Sequence, residues 1–306
     1  MQSGLLKTLP LIVITILQPI QPMTAQYIPA PHDPVKLAAH SSLDLPYLIT
    51  ADGQLLASNA NGEWIAFGPQ SAVQDVYVEN GGRVWTASND GLMVYENGLW
   101  RSIDDHPAWR LESTHGYLFS MGPEGAMRLQ QGREINLDHR RAIDAPLADA
   151  PIHDLVMLGS HTHVLHIGDQ VFQTLDVGLT WRPLDAPEPV IMIGTDTVGD
   201  LLAVTEHGIQ RWREDGWGDF LPLPSDQPIT EFRIFHDQLY ALSGGSIYLQ
   251  VGSGWEQQTL PDSAESYFTA LAVQFPDKLW ALDSRGARLW STTDAVNWTS
   301  IPISQA

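Results

Sequence analysis

Short runs of apolar and β-branched residues, each broken by a turn of Gly, Asn or Asp, recur along the whole chain after about residue 35. The segment Tyr47 to Trp64 lies over Val84 to Trp100 with one residue of slack. Each contains a β-type run, a Gly-bearing turn, a second run, an Asn-Gly turn and a third run that opens on Trp. Asn-Gly between two β-type runs predicts a hairpin with a type I′ turn, since that turn needs positive φ at both central residues. A further run precedes each set, as in Val73 to Glu79, Glu231 to Phe235 and Thr269 to Phe275. The pattern therefore predicts four antiparallel strands per unit, and no stretch shows a sustained helical period.

Six tryptophans mark the same slot in successive units: Trp64, Trp100, Trp181, Trp217, Trp255 and Trp298, spaced 36, 81, 36, 38 and 43 residues apart. The long gap holds a further unit whose slot is occupied by Gly132-Arg133-Glu134. Self-similarity at this period is the signature of a repeat architecture. The expected fold is all-β, a seven-bladed β-propeller of four-stranded antiparallel blades. Its blades run from about Val35 to Phe67, Val73 to Ile103, Ala108 to Leu137, Ile152 to Leu184, Val190 to Leu223, Ile229 to Leu260 and Phe268 to Ile301. Blade one begins with its own inner strand and blade seven ends with its own outer strand, so closure is expected from packing between them. Val35 to Ala39 is a poor strand sequence, and Arg140 to Pro151 reads as an exposed loop. The tryptophans are expected to be packing residues between blades.

Residues 1–25 have the layout of a secretory signal peptide: Lys7, an apolar stretch from Leu9 to Leu17, and Met23-Thr24-Ala25 before the cleavage point. Residues 26–34 form an extension and 35–302 the propeller. The apolar stretch is too short for a membrane span, which needs about 20 residues. A secreted or periplasmic protein is expected, with an uncleaved anchor as the alternative. The chain has no cysteine, which excludes disulfides, thiol catalysis, zinc–thiolate sites and a lipoprotein anchor. Its net charge of −20 becomes −21 when Lys7 is removed, leaving two lysines and 13 arginines. Such a surface repels nucleic acid, anionic membranes and polyanionic glycans. Basic proteins, cations and neutral glycans remain open as partners.

Thr174-Leu-Asp176-Val-Gly178-Leu-Thr180-Trp181 matches the pattern Ser/Thr-x-Asp-x-Gly-x-Thr-Trp, and a degenerate copy lies at Thr292-Thr-Asp294-Ala-Val-Asn297-Trp298. In both, the Asp is placed to hydrogen-bond the backbone of a turn between the third and fourth strands. The chain resembles the Asp-box (BNR-repeat) propellers, which include sialidases, certain glucanases and photosystem assembly factors of the Ycf48 type. Through Gly82 to Gly91 and Asn97-Gly98-Leu-Trp100, blades one and two resemble two-component-regulator propeller repeats. The resemblance implies the fold and a structural role for Thr174, Asp176, Gly178, Trp181, Asp294 and Trp298, and no catalytic one. The arginine triad and Arg-Ile-Pro signature of a sialidase are absent.

The inner strands open on Asp75, Arg110, Asp154 and Glu231, which would ring one mouth of the central channel as a site for a cation or a polar ligand. The competing structural reading makes them solvated strand ends, or pairs Arg110 with a neighbouring acid. His153, His161 and His163 share one blade, and His106 follows Asp104-Asp105; both groups read as turn or strand residues rather than a metal site. No cofactor motif is present. The function expected is that of a non-enzymatic scaffold binding a protein partner through the loops between blades, with Trp109 and Tyr267 as candidate anchors. The alternatives are a carbohydrate-active propeller, as lectin or glycoside hydrolase, and a sensor ectodomain.

Overall fold

The computed structural model describes residues 34–304 apart from 41–42, 80–81, 115–116, 124, 131–140, 144–151, 160, 177–179, 214–215, 262–265 and 275–276. The leader, the Gly132-Arg133-Glu134 slot and Gly178 lie outside the described residues. Every described element is a β-strand, arranged in seven four-stranded antiparallel sheets. Within each sheet the strands neighbour one another in chain order. In six sheets side chains are described on all four strands, and in the third those of the outer two are not. The hydrogen-bonded sheets number seven. Among the described residues no helix is long and apolar enough to cross a membrane.

First strands of neighbouring sheets touch one another. Pro34–Ala38 meets both Val73–Val78 and Phe268–Gln274, Val73–Val78 meets Arg110–Thr114, and Ile152–Met157 meets Met192–Thr195. The first strands therefore surround the axis, and the fourth strands form the rim. An isolated four-stranded sheet has two faces and no core. Here the apolar side chains divide into seven buried clusters, and each cluster joins one sheet to the next. Leu48, Leu56 and Trp64 of the first sheet pack on Ala270, Trp280, Leu282 and Leu289 of the seventh. The ring is closed by that contact, with no strand exchanged. Polar bonds reinforce the seam: Trp64 N–H donates to the Ser304 carbonyl at 3.1 Å, and Gln274 Nε2 donates to the Leu43 carbonyl at 2.8 Å.

Each tryptophan of the series enters the cluster shared with the preceding blade. Three of them also make the same hydrogen bond. Trp100 donates its indole N–H to the Phe67 carbonyl at 2.9 Å, Trp217 to Leu184 at 3.1 Å and Trp255 to Pro222 at 2.8 Å. In each pair the acceptor lies 33 residues upstream, at the end of the previous outer strand. The recurring spacing is therefore a polar tie between rims as well as an apolar one.

One local expectation holds against weak composition, and one needs correction. Pro34–Ala38 is a strand despite its composition, because it pairs with Tyr47–Thr50 and its partner supplies what its propensity lacks. The fourth strand of the third sheet is Arg141–Ile143, inside the segment expected to be a loop. It pairs with Ala126, Met127 and Arg128, so cross-strand partners decide its state. The type I′ turn is formed at Asn97-Gly98, with φ of 54° and 83°. At Asn61-Gly62 only the glycine has positive φ. There the Asn59 carbonyl accepts from Gly62 N–H, and the Asn59 side chain organises a longer turn.

Since closure depends on the seam between the first and seventh sheets, Leu48→Ala there should cost about 3 kcal/mol of unfolding free energy. Urea denaturation measures it, and a cost below about 1 kcal/mol would mean that the seam is not a packed core.

Candidate functional site

The chain enters each sheet at one face of the ring, and antiparallel pairing fixes which turns lie where. The links between blades and the turns between second and third strands lie on that face, here called the link face. The hairpins joining first to second and third to fourth strands lie on the opposite, hairpin face. Asp75, Arg110, Asp154 and Glu231 are thus at the link-face end of the channel.

Pairing of the first strand with the second slips at the same place in five sheets: Pro34/Lys36, Val73/Asp75, Ile152/Asp154, Ile229/Glu231 and Phe268/Ala270. A bulge re-aims the side chain that follows it. In blades one, two, four and six that side chain is charged, as is its unbulged counterpart in blade three, and each reaches onto the next blade. Lys36 Nζ donates to the Gln74 carbonyl at 2.7 Å. Asp75 Oδ2 accepts from Leu111 N–H at 2.8 Å. Arg110, without a bulge, pairs with Asp154 Oδ1. Asp154 Oδ2 accepts from Ile193 N–H at 3.3 Å, and Glu231 Oε2 from Leu271 N–H at 2.6 Å. The four predicted residues are brought to one end of the axis, and each is engaged as a staple between inner strands.

The sequence reading missed Lys36, Glu112, Arg233 and His166. Two residues beyond Arg110 and Glu231, Glu112 and Arg233 lie on the same channel-facing side of their strands. Arg233 pairs with Glu231 and donates to the Phe232 carbonyl at 2.9 Å. Burial raises the Glu112 carboxyl above its ordinary value, Asp75 and Asp154 add to this, and Arg110 and Arg233 oppose it. Burial would also raise Asp154, but His166 and Arg110 outweigh it and hold that carboxyl low. His166 Nδ1 stands 3.5 Å from Asp154 Oδ2 while its Nε2 meets the Val190 carbonyl at 3.0 Å. The period-two spacing from Arg110 and Glu231 was the signal that could have found Glu112 and Arg233. No sequence signal pointed to His166, which lies on the neighbouring strand.

The other candidates are also placed. Trp109 is half-buried, with its indole N–H on the Ile152 carbonyl at 3.2 Å. Tyr267 lies across Gly245, where a Cβ would come within 2.4 Å of its ring, and its N–H donates to Asp283 Oδ1. Both belong to the link face and both are tied into the fold. Asp176 accepts from Thr174 Oγ1 at 2.7 Å, Thr180 N–H at 2.9 Å and Thr180 Oγ1 at 2.7 Å. Asp294 accepts from Asn297 N–H, Asn297 Nδ2, Val296 N–H and Thr292 Oγ1. Both are turn organisers on the hairpin face. Trp181 and Trp298 pack behind them into the neighbouring cores. His153 lies tilted against His166 at 5.1 Å, while His163 is buried beside Phe119. Asp104, Asp105 and His106 cluster at a turn, where His106 Nδ1 meets Asp104 Oδ1 at 2.7 Å.

No protein-family model matches the chain, and no curated protein matches it. Solved structures do match. A catalytically inactive virginiamycin B lyase from Staphylococcus aureus, with quinupristin, superposes with TM-score 0.65 at 12% identity over 86% of this chain and 94% of that one. YCF48 bound to a D1 peptide gives 0.58 at 16% identity over 80% and 86%. PorZ, a surface component of the type-IX secretion system of Porphyromonas gingivalis, gives 0.65 at 15% identity over 90% of this chain and 39% of that one. The fold is that of a β-propeller. At these identities the likeness extends to the fold alone.

Asp75→Ala would leave the Leu111 N–H without its acceptor, so it should destabilise by about 1–2 kcal/mol, and Asp75→Asn by less. Equal effects of the two would show that charge rather than the acceptor oxygen matters. Asp294 is held well below the usual carboxylate range, first by Asn297 N–H, then by the Asn297 side chain and Val296 N–H. Its folded pKa is lowered, so its contribution to stability is full above the ordinary Asp value of about 4 and is lost as pH falls through the folded value. Stability measured from pH 5 down to about 2 should fall less steeply in Asp294→Asn than in the parent.

Proposed function

We propose that this chain is a non-enzymatic protein-binding scaffold working outside the cytoplasm. The leader supports the compartment, and the axial geometry supports the lack of catalysis. Asp75, Asp154 and Glu231, which a hydrolase would need free, are occupied by backbone N–H groups of the next blade.

One observation carries the binding reading. Of seven exposed large hydrophobic side chains among the described residues, five lie at the hairpin face in five different blades: Leu175, Val198 and Val296 in turns, and Leu99 and Val251 at the strand ends beside them. They are 54% to 78% exposed, so they contribute nothing to the cores. Turns ordinarily carry polar residues and glycine. Distributed around a ring, five exposed aliphatic side chains fit a broad protein surface better than a small ligand. Burying one such side chain fully is worth about 1.5–3 kcal/mol, so a partner engaging several would be held firmly. The YCF48 structure holds a peptide, and PorZ belongs to a secretion apparatus; both are consistent with a propeller used as a platform.

A second reading, sugar binding, is favoured by a cleft between blades four and five that is lined in part by Trp212.

Replacing Leu99, Val251 and Val296 together with Ser should leave the melting temperature unchanged. It should also abolish recovery of a stoichiometric partner after cross-linking in the native envelope or secretome. Retention of that partner by the triple variant, or its loss on changing Trp109 alone, would move the docking surface to the link face.

A further inference from the structure

The cleft between blades four and five opens on the hairpin face. It encloses about 490 Å³ and is lined by Leu158, Gln173, Arg182, Asp200, Trp212 and Arg213 among others. Its volume suits one or two sugar rings. Trp212 is half-buried, with its edge against Trp217 at 5.3 Å and 65°, so the indole is fixed by packing rather than free to turn.

The charges of the lining are unusual for this chain. With 36 acidic and 16 basic side chains, an arginine has many acids to meet. Arg83, Arg101, Arg110, Arg211 and Arg233 each pair with a carboxylate. Arg182 and Arg213, like the exposed Arg288, pair with none among the described residues. Arg182 is instead held by the neutral Gln173, its Nε donating to Oε1 at 3.0 Å. That bond fixes the guanidinium without neutralising it. Asp200, half-buried at the other side of the cleft, has among the described residues a distant ion pair with Arg211 at 3.9 Å.

We infer that this cleft is a binding site for an acidic sugar, a hexuronate as a single residue or at the end of a short chain. The carboxylate would meet Arg182 and Arg213, in the fork geometry that guanidinium offers to carboxylates. The sugar ring would lie against Trp212, and Asp200 would accept from its hydroxyls. The inference rests on the second, sugar-binding reading and is independent of the protein-binding one. It differs from the exclusion of polyanionic glycans, because one carboxylate faces two arginines here rather than the average field of the surface.

The test is calorimetric titration of the full chain with methyl uronides and their disaccharides, and with the matching neutral methyl glycosides. An N-acetylated dipeptide with a free carboxylate is the third probe. The uronide should bind at least about tenfold more tightly than the neutral glycoside, a difference of about 1.4 kcal/mol. Arg213→Gln and Arg182→Gln should each remove most of that difference while leaving the melting temperature unchanged, since both side chains are exposed. Trp212→Phe should weaken both sugars alike. Removing the two acids next to Arg213 in the sequence, as Glu214→Gln with Asp215→Asn, should strengthen the uronide only; weaker binding would overturn the assignment. Equal affinity for acid and neutral sugar would overturn the acidic specificity and leave the sugar reading standing. Dipeptide binding as tight as the uronide's would make this a peptide-carboxylate site and overturn the sugar. Absence of binding by every probe at about 10 mM would remove both the inference and the sugar-binding reading.

Discussion

A single blade of this chain cannot bury its own apolar side chains. Every described core cluster is shared between two sheets, and the last is shared between the seventh and the first. Stability therefore exists only in the closed ring, and each other feature serves that closure. The outer-strand tryptophans insert backward into the preceding interface. The bulged inner strands send charged side chains forward onto the following one. Rim and axis are thus tied in opposite directions along the chain.

This arrangement decides how the polar axis can be used. A carboxylate oxygen that accepts a backbone N–H of the next blade is taken up by the fold and is not free for a ligand. Asp75 and Glu231 are in this position, and Asp154 serves Ile193 N–H, Arg110 and His166 together. Glu112 stands apart, since its carboxyl is raised and makes no hydrogen bond among the described residues. The rigid axis leaves the two faces as the surfaces where recognition can vary. Link-face aromatics are absorbed into the fold, while the hairpin face carries exposed aliphatic side chains and the cleft beside Trp212.

Much of the fold was legible because its signals are local or strictly periodic. Asn97-Gly98 forms its turn through φ preferences that need no distant partner. Asp176 and Asp294 act within four residues of themselves, so their role could be read directly from spacing. Where local preference was weak, the repeat had to decide: Pro34–Ala38 was placed by its position in the unit, Arg141–Ile143 was missed, and both are strands because a neighbour pairs with them.

The candidate site shows the same division. The sequence by itself determined that Asp75, Arg110, Asp154 and Glu231 occur at matching points of successive units, since that follows from the repeat and the two-residue period of a strand. Only the tertiary structure decided what they meet, because the partners lie 36, 39 and 40 residues away for Asp75, Asp154 and Glu231, across a gap that exists only when blades stand side by side. The cleft is of the same kind. Gln173 and Arg182 come from one blade and Asp200, Trp212 and Arg213 from the next, and no periodicity in the chain records that two arginines meet there without an acid partner among the described residues.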